Sequence, residues 1–291
     1  MTIKSILVSL DGTDTGLATL ETGLMAGAKF KVHVDALHVR PDSLTAVPAI
    51  GDAMSGSMAE DFSHGHLKEQ LDRAKAAAAM FEAACLRHHI RVIEGGPSPE
   101  GLTASFLDRV GQRHAVMCRL GRVHDLVVVG QPSHPKDAMH SLTMDALFQT
   151  GRPVLVAPKT VPKTLGQVIA IAWNGSAQCA RAIGGATNFF AQASKVVVLT
   201  AESQHTPKTV VPELVEYLQC HRVPVETRII GHMGKAHLRG RQLLDAAQAE
   251  GADLLVMGAK KLERNRLKKM FLGCATSDVL NMAAIPLLMG H

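Results

Sequence analysis

The chain of 291 residues is poor in aromatic side chains, with one Trp, one Tyr and eight Phe. Proteins that grip single strands stack bases on aromatic faces, so this scarcity argues against specific nucleic-acid binding despite a net charge of +5. No uninterrupted apolar stretch reaches the roughly 18 residues of a membrane span. The opening MTIKSILVSLDG has one lysine and an apolar run ended by Asp11, whereas a secretory leader needs a longer apolar core and a small-residue cleavage site. These absences predict a cytoplasmic protein with no membrane partner. Cys85, Cys118, Cys179, Cys220 and Cys274 are odd in number and widely spaced, which excludes a disulfide framework and a zinc ribbon. The fifteen histidines lack cysteine or carboxylate companions at ligand spacing, so no metal ligand is assigned. No motif sets an activated nucleophile beside a base; no catalytic residue is assigned, and the chain is expected not to be an enzyme.

What is present is an alternation of apolar runs and helical patterns. An apolar fraction of 46% suits globular folding, and the length suits two domains. In the first half the patterns predict a strand that opens SILVSLDGTDTG and runs into Asp11-Gly12-Thr13, and further strands in Lys31–Val39, Ile90–Glu94, Asp125–Gly130 and Pro153–Ala157. Helices are expected over about Thr15–Ala28, Leu67–His88, Gly101–Leu120 and Ser141–Gln149, with a long excursion rich in Gly, Ser and Ala from Arg40 to about Ser63. The order then repeats. VIAIAWNGSAQCARA (168–182) echoes SILVSLDGTDTGLAT (5–19), DLLVMG (253–258) echoes DLVVVG (125–130), and AIPLLMGH (284–291) echoes GRPVLVAP (151–158). Ordered self-similarity of this kind indicates duplication. The second half is expected to place strands at 167–172, 195–200, 224–230, 253–258 and 286–289, and helices at about 176–192, 208–221, 236–250 and 274–283. The resulting fold class is α/β: two tandem doubly wound domains, 1–160 and 166–291, each with a five-stranded parallel sheet. Each half ends in an apolar strand, and a bare edge there would invite aggregation, so the two are predicted to pack as an internal pseudo-dimer.

Asp253 to Thr276, DLLVMGAKKLERNRLKKMFLGCAT, is the most informative stretch. The run Leu254–Gly258 fits a strand buried on both faces, placing Gly258 at the carboxyl end, where ligands bind in open α/β sheets. Gly273, Cys274, Ala275 and Thr276 precede a helical pattern, where unpaired N–H groups can meet a phosphate. Lys260, Lys261, Arg264, Arg266, Lys268 and Lys269 stand between these features against Glu263 alone, a local excess equal to the net charge of the whole chain. Such a concentrated field favours an anionic partner.

With these motifs the chain resembles a tandem universal stress protein. The resemblance rests on Asp11-Gly12-Thr13 and Asn174-Gly175-Ser176 after the first strands, on DLVVVG and DLLVMG, on GRPVLVAP, and on the loop from Gly258 to Gly273. It implies a five-stranded α/β fold that commonly dimerises through its fifth strand, leaving room for a further homodimer. It also implies, in the nucleotide-binding members, an acid after strand 1 that contacts the nucleoside and a G-x2-G-x9-G-[ST] loop that holds the phosphates. Here the first half keeps Asp11 but follows Gly130 with Gln131-Pro132-Ser133-His134-Pro135, where prolines remove donors. The second half keeps Gly258 and Gly273, places Lys261 at the middle glycine, has Cys274 at the Ser/Thr position with Thr276 two residues on, and replaces the acid by Asn174. Fourteen residues separate its glycines, against twelve in the pattern.

The resemblance leaves two readings open. In one, ATP or a related adenine nucleotide, with Mg²⁺, occupies the second half: Asn174 faces the nucleoside, Gly258, Ala259, Gly273, Cys274 and Thr276 offer donors to the phosphates, and Lys260 and Lys261 neutralise them. In the other, the protein is a nucleotide-free interaction module whose basic loop docks a protein partner that the sequence does not name.

Overall fold

A computed structural model describes residues 2–41, 56–94, 101–133, 138–201, 210–231, 238–263, 270–272 and 274–291. The first half comprises β1 (Ser5–Ser9), α1 (Asp14–Phe30), β2 (His33–Arg40), α2 (Gly56–Arg87), β3 (Arg91–Val92), β4 (Thr103–Val110), α3 (Arg113–Gly121), β5 (Leu126–Gly130), α4 (Ala138–Gln149) and β6 (Val154–Ala157). The second comprises β7 (Val168–Ala172), α5 (Ala177–Phe190), β8 (Lys195–Ala201), α6 (Val210–Cys220), β9 (Val225–Ile230), α7 (Arg239–Ala249), β10 (Leu254–Gly258), β11 (Lys261–Glu263), β12 (Met270–Leu272), α8 (Cys274–Met282) and β13 (Leu287–Gly290).

Eleven strands form one sheet in the order β3-β4-β2-β1-β5-β6-β13-β10-β7-β8-β9. Every neighbouring pair is parallel except β6 with β13, which run antiparallel with Val156 opposite Leu287, Leu155 opposite Leu288 and Val154 opposite Met289. Because side chains alternate across a strand, Ile6 and Val8 face one layer while Leu7 faces the other. The first layer packs α1, α2, α5 and α6; the second packs α3, α4, α7 and α8. Both apolar layers continue across the β6–β13 seam, where Leu155, Leu287, Leu288 and Met289 are buried. Each such side chain contributes about 1.5–3 kcal/mol by leaving water.

Local chemistry sets where the elements start. Thr13 accepts from the Gly16 N–H and Ser176 from the Cys179 N–H, capping α1 and α5 in the same way. Asp125 accepts from the N–H groups of Lys4 and Ser5, and Asp253 from those of Gln167 and Val168, tying the amino ends of β5 to β1 and of β10 to β7.

The structure corrects the sequence reading in four places. The helix predicted over Gly101–Leu120 is instead the strand β4 followed by the shorter α3. Thr103–Val110 pairs with β2 along eight registered positions, and that ladder overrides the local pattern. The strand predicted at Ile90–Glu94 shrinks to the two residues of β3 at the sheet edge, so the first half has six strands where five were expected. Residues 56–63, assigned to the excursion, belong to α2, whereas 42–55 lie outside the described residues. Beyond Gly258, where an open loop was expected, β11 and β12 pair antiparallel as a two-stranded ribbon.

Candidate functional site

The candidate features gather at the carboxyl ends of the strands. After β1, Asp11 Oδ1 accepts from the Thr13 N–H at 3.1 Å and the Thr13 hydroxyl at 2.6 Å, with Gly12 at φ +73° making the turn. After β7, Asn174 Oδ1 accepts from the Ser176 N–H at 3.0 Å and from the Cys179 thiol at 3.1 Å, with Gly175 at φ +74°. The two turns are the same construction with one acid exchanged for an amide. Asn174 is exposed, and its carbonyl oxygen already shapes the turn.

Around the predicted phosphate site, Gly258 ends β10 where a Cβ would lie 2.6 Å from the Cys179 nitrogen and 2.8 Å from the Gln178 carbonyl carbon. This glycine is therefore required by the first turn of α5 lying against the strand, whatever else it does. The N–H of Ala259, expected to serve a phosphate, is committed to the Gly290 carbonyl at 2.8 Å, and the Ala259 carbonyl accepts from His291 Nδ1 at 2.8 Å. Lys260 is exposed and Thr276 is buried in the first turn of α8. Lys261 begins β11 opposite Leu272, and Cys274 begins α8; for both, only the backbone is described. Gly273 lies outside the described residues. The fold thus brings Gly258, Lys260, Lys261 and the start of α8 to one edge.

A cavity of about 230 Å³ opens at the matching edge of the first half. Leu10, Asp11 and Thr13 line it from the β1 turn, His38 to Pro41 from the end of β2, Glu69, Gln70 and Arg73 from α2, and Arg113 from the start of α3. Gly12 lets α2 close over the turn, since a Cβ there would stand 2.7 Å from the Arg73 carbonyl oxygen. His38 donates through Nδ1 to the Leu10 carbonyl at 3.1 Å, and burial lowers its pKa, so it is neutral with Nε2 left as an acceptor. Arg40 is clamped by Asp108 at 3.1 and 2.9 Å, and Arg73 is paired with Glu69 at 2.6 Å. Arg113 reaches Ser9 Oγ at 3.5 Å and Asp11 Oδ2 at 3.8 Å. Sequence reasoning singled out Asp11 but missed His38, Arg73 and Arg113; as isolated residues they carry no motif, and only the approach of α2 and α3 makes them neighbours.

After β5, the buried Gln131 donates through Nε2 to the carbonyls of Leu280 at 2.9 Å and Ala283 at 3.0 Å. The segment that departs from the phosphate loop in the first half therefore caps the carboxyl end of α8 in the second.

Comparison with known proteins agrees with this geometry. No curated protein matches the chain. Across 98% of its length it is similar to a universal stress protein from Archaeoglobus fulgidus, 14% identical, with a TM-score of 0.66 and 94% of that chain covered. It is also similar to a functionally unknown protein from Pseudomonas aeruginosa, 16% identical, with a TM-score of 0.51 and 98% and 92% of the two chains covered. At these identities the likeness is one of fold. In sequence, residues 167–291 match the Universal stress protein family.

Proposed function

We propose that the chain is a tandem universal stress protein. Residues 1–160 and 166–291 are two domains of common descent, packed as an internal pseudo-dimer, and the second takes ATP or a related adenine nucleotide. The observation that carries the tandem reading is strand order: β4-β2-β1-β5-β6 and β9-β8-β7-β10-β13 are the same sequence of strands and meet antiparallel at their last members. The nucleotide reading is supported by the position of Gly258, Lys260 and the first turn of α8, a helix of nine residues that follows the ribbon β11–β12 in the chain. With the Ala259 N–H taken by the sheet, the phosphate donors fall to that first turn, Thr276 and the lysines. Mg²⁺ would arrive with the phosphates, and binding would act by shifting the ribbon's conformational population in a cytoplasmic, non-enzymatic role.

The test is calorimetric titration with ATP and ADP, together with mass spectrometry of nucleotide released on denaturation. One site per chain is expected, with melting stabilised by about 2.7 kcal/mol at a hundredfold excess over Kd. A silent titration would favour the interaction module, a reading that draws on the ribbon β11–β12, a defined element standing apart from the main sheet.

A further inference from the structure

Three guanidinium groups line the first-half cavity, and they are not equally satisfied. Arg40 gives Nε and Nη2 to the two oxygens of Asp108, and Arg73 gives Nη2 to Glu69. Arg113 has only the 3.5 Å contact to Ser9 Oγ and the 3.8 Å approach to Asp11 Oδ2, the one at the limit of hydrogen bonding and the other beyond it. A guanidinium carries five N–H donors in a rigid fork. Most of this one's donors have no hydrogen-bond partner among the described residues, although its side chain is only 32% exposed. Burial pulls its pKa below the ordinary value, against the opposing pull of Asp11. A half-buried cation with open donors at a cavity wall is a site whose desolvation cost an oxyanion offsets.

We propose that the first-half cavity binds a compact molecule with an oxyanion at one end, held by Arg113, and hydroxyl or ammonium donors at the other. The donor end follows from the remaining polar wall: Asp11 Oδ2 and His38 Nε2 are acceptors, and a carboxylate placed against Asp11 would be repelled. The body lies on Leu10, Val39 and Pro41. A cavity of about 230 Å³ is smaller than the roughly 300–1,000 Å³ of sites for drug-sized ligands, which favours a sugar phosphate or a hydroxy acid over a nucleoside triphosphate. The proposal is independent of the nucleotide reading, which concerns the other half; each can fail without the other.

The experiment titrates the full chain with ribose 5-phosphate, with glycerate and, as an uncharged control, with adenosine, following the Arg113 Nε–H resonance and the melting temperature. A saturable shift of that resonance with at least one anion is expected, and which of the two acts identifies the oxyanion as phosphate or carboxylate. Arg113→Met, checked for folding by circular dichroism, should weaken binding about tenfold or more, and Arg113→Lys should restore part of it, because charge returns without the fork. No saturable response at Arg113 in the parent chain overturns the proposal whatever the variants do. Unchanged affinity in a folded Arg113→Met overturns it too, as does adenosine binding equally to parent and variant.

Discussion

The two halves build the same turns and then use them differently. Asp11 and Asn174 both accept from the backbone two residues on, and Gln131 and Ala259 both give their N–H to the neighbouring last strand, at the Ala157 and Gly290 carbonyls. From these matched positions the side chains diverge. Asp11 faces a guanidinium, whereas Asn174 takes a thiol proton; Gln131 crosses the seam to hold α8, whereas Ala259 has no side chain to reach with. The same strand order and the same turns occur twice, and the loop after β5 is committed to supporting the other half.

The amino edge diverges as strongly. Ser5 pairs with His33 and Leu7 with Asp35, while Val168 pairs with Lys195 and Ala170 with Val197. The position that holds a carboxylate in β2 therefore holds a fully buried valine in β8. Asp35 accepts from His33 Nε2 at 3.1 Å, from His124 Nε2 at 2.9 Å and from the Ser105 hydroxyl. His124 also gives Nδ1 to the Leu120 carbonyl at 2.8 Å, so both of its nitrogens face acceptors and it is the doubly protonated imidazolium.

The largest expected effect tests whether the halves are separable. Deleting Ile285–His291 removes β13 from the middle of the sheet and bares β6 and β10 at once. The truncated chain should lose cooperative folding and aggregate. A soluble truncate with a single sharp melting transition by circular dichroism would show that the first half stands alone.

A middle-sized effect separates the charged edge from its apolar counterpart. Burial by itself would raise the Asp35 pKa, but hydrogen bonds from His124, His33 and Ser105 overcome it and hold the carboxyl well below its ordinary value. For His124, burial is likewise overcome, by Asp35 and the Leu120 carbonyl, and its pKa is raised. A raised histidine contributes stability that is fully present below its unfolded pKa of about 6.5 and is lost as pH rises through the folded value. A depressed aspartate contributes stability that is present above about 3.9 and is lost as pH falls through its folded value. Both contributions are therefore complete between about pH 4 and 6.5. Asp35→Asn should cost roughly 3 kcal/mol in urea denaturation at pH 6 and flatten the decline in stability from pH 6 to 8. An unchanged pH slope in the variant would remove the His124–Asp35 pair as its cause.

This network also explains where the sequence was illegible. The strands β1, β5, β7 and β10 announce themselves as unbroken apolar runs, and the repeated turns and closing strands foreshadow the repeated strand order. Strand β4 hides because Thr103 and Ser105, which bond His33 and Asp35, are polar residues turned inward, so no apolar alternation marks it. Arg113 hides for a different reason: nothing in its neighbourhood distinguishes it from the exposed Arg109 and Arg119 until the fold carries α3 to the β1 turn. Gly258 was legible as a special position, yet the approach of α5 is sufficient cause for it.

The smallest effect probes the support that the first half lends to the second. The last carbonyls of a helix have no partner within it, and in α8 two of the carbonyls at that end, Leu280 and Ala283, are met by one buried amide group from Gln131. Gln131→Met keeps the approximate length and removes both donors, leaving the two oxygens to find water in a site where Gln131 itself is only 7% exposed. The expected loss is about 1–2 kcal/mol of global stability, since each neutral hydrogen bond contributes on the order of 1 kcal/mol and relaxation of the helix end recovers part of it. The sharper signature is local. Amide hydrogen exchange in 279–283 should quicken more than in β1 or β5, because the substitution frees the helix end without touching the sheet ladder. If exchange in 279–283 stays as slow as in the parent, the contact is incidental and the two loops differ in sequence without dividing their work.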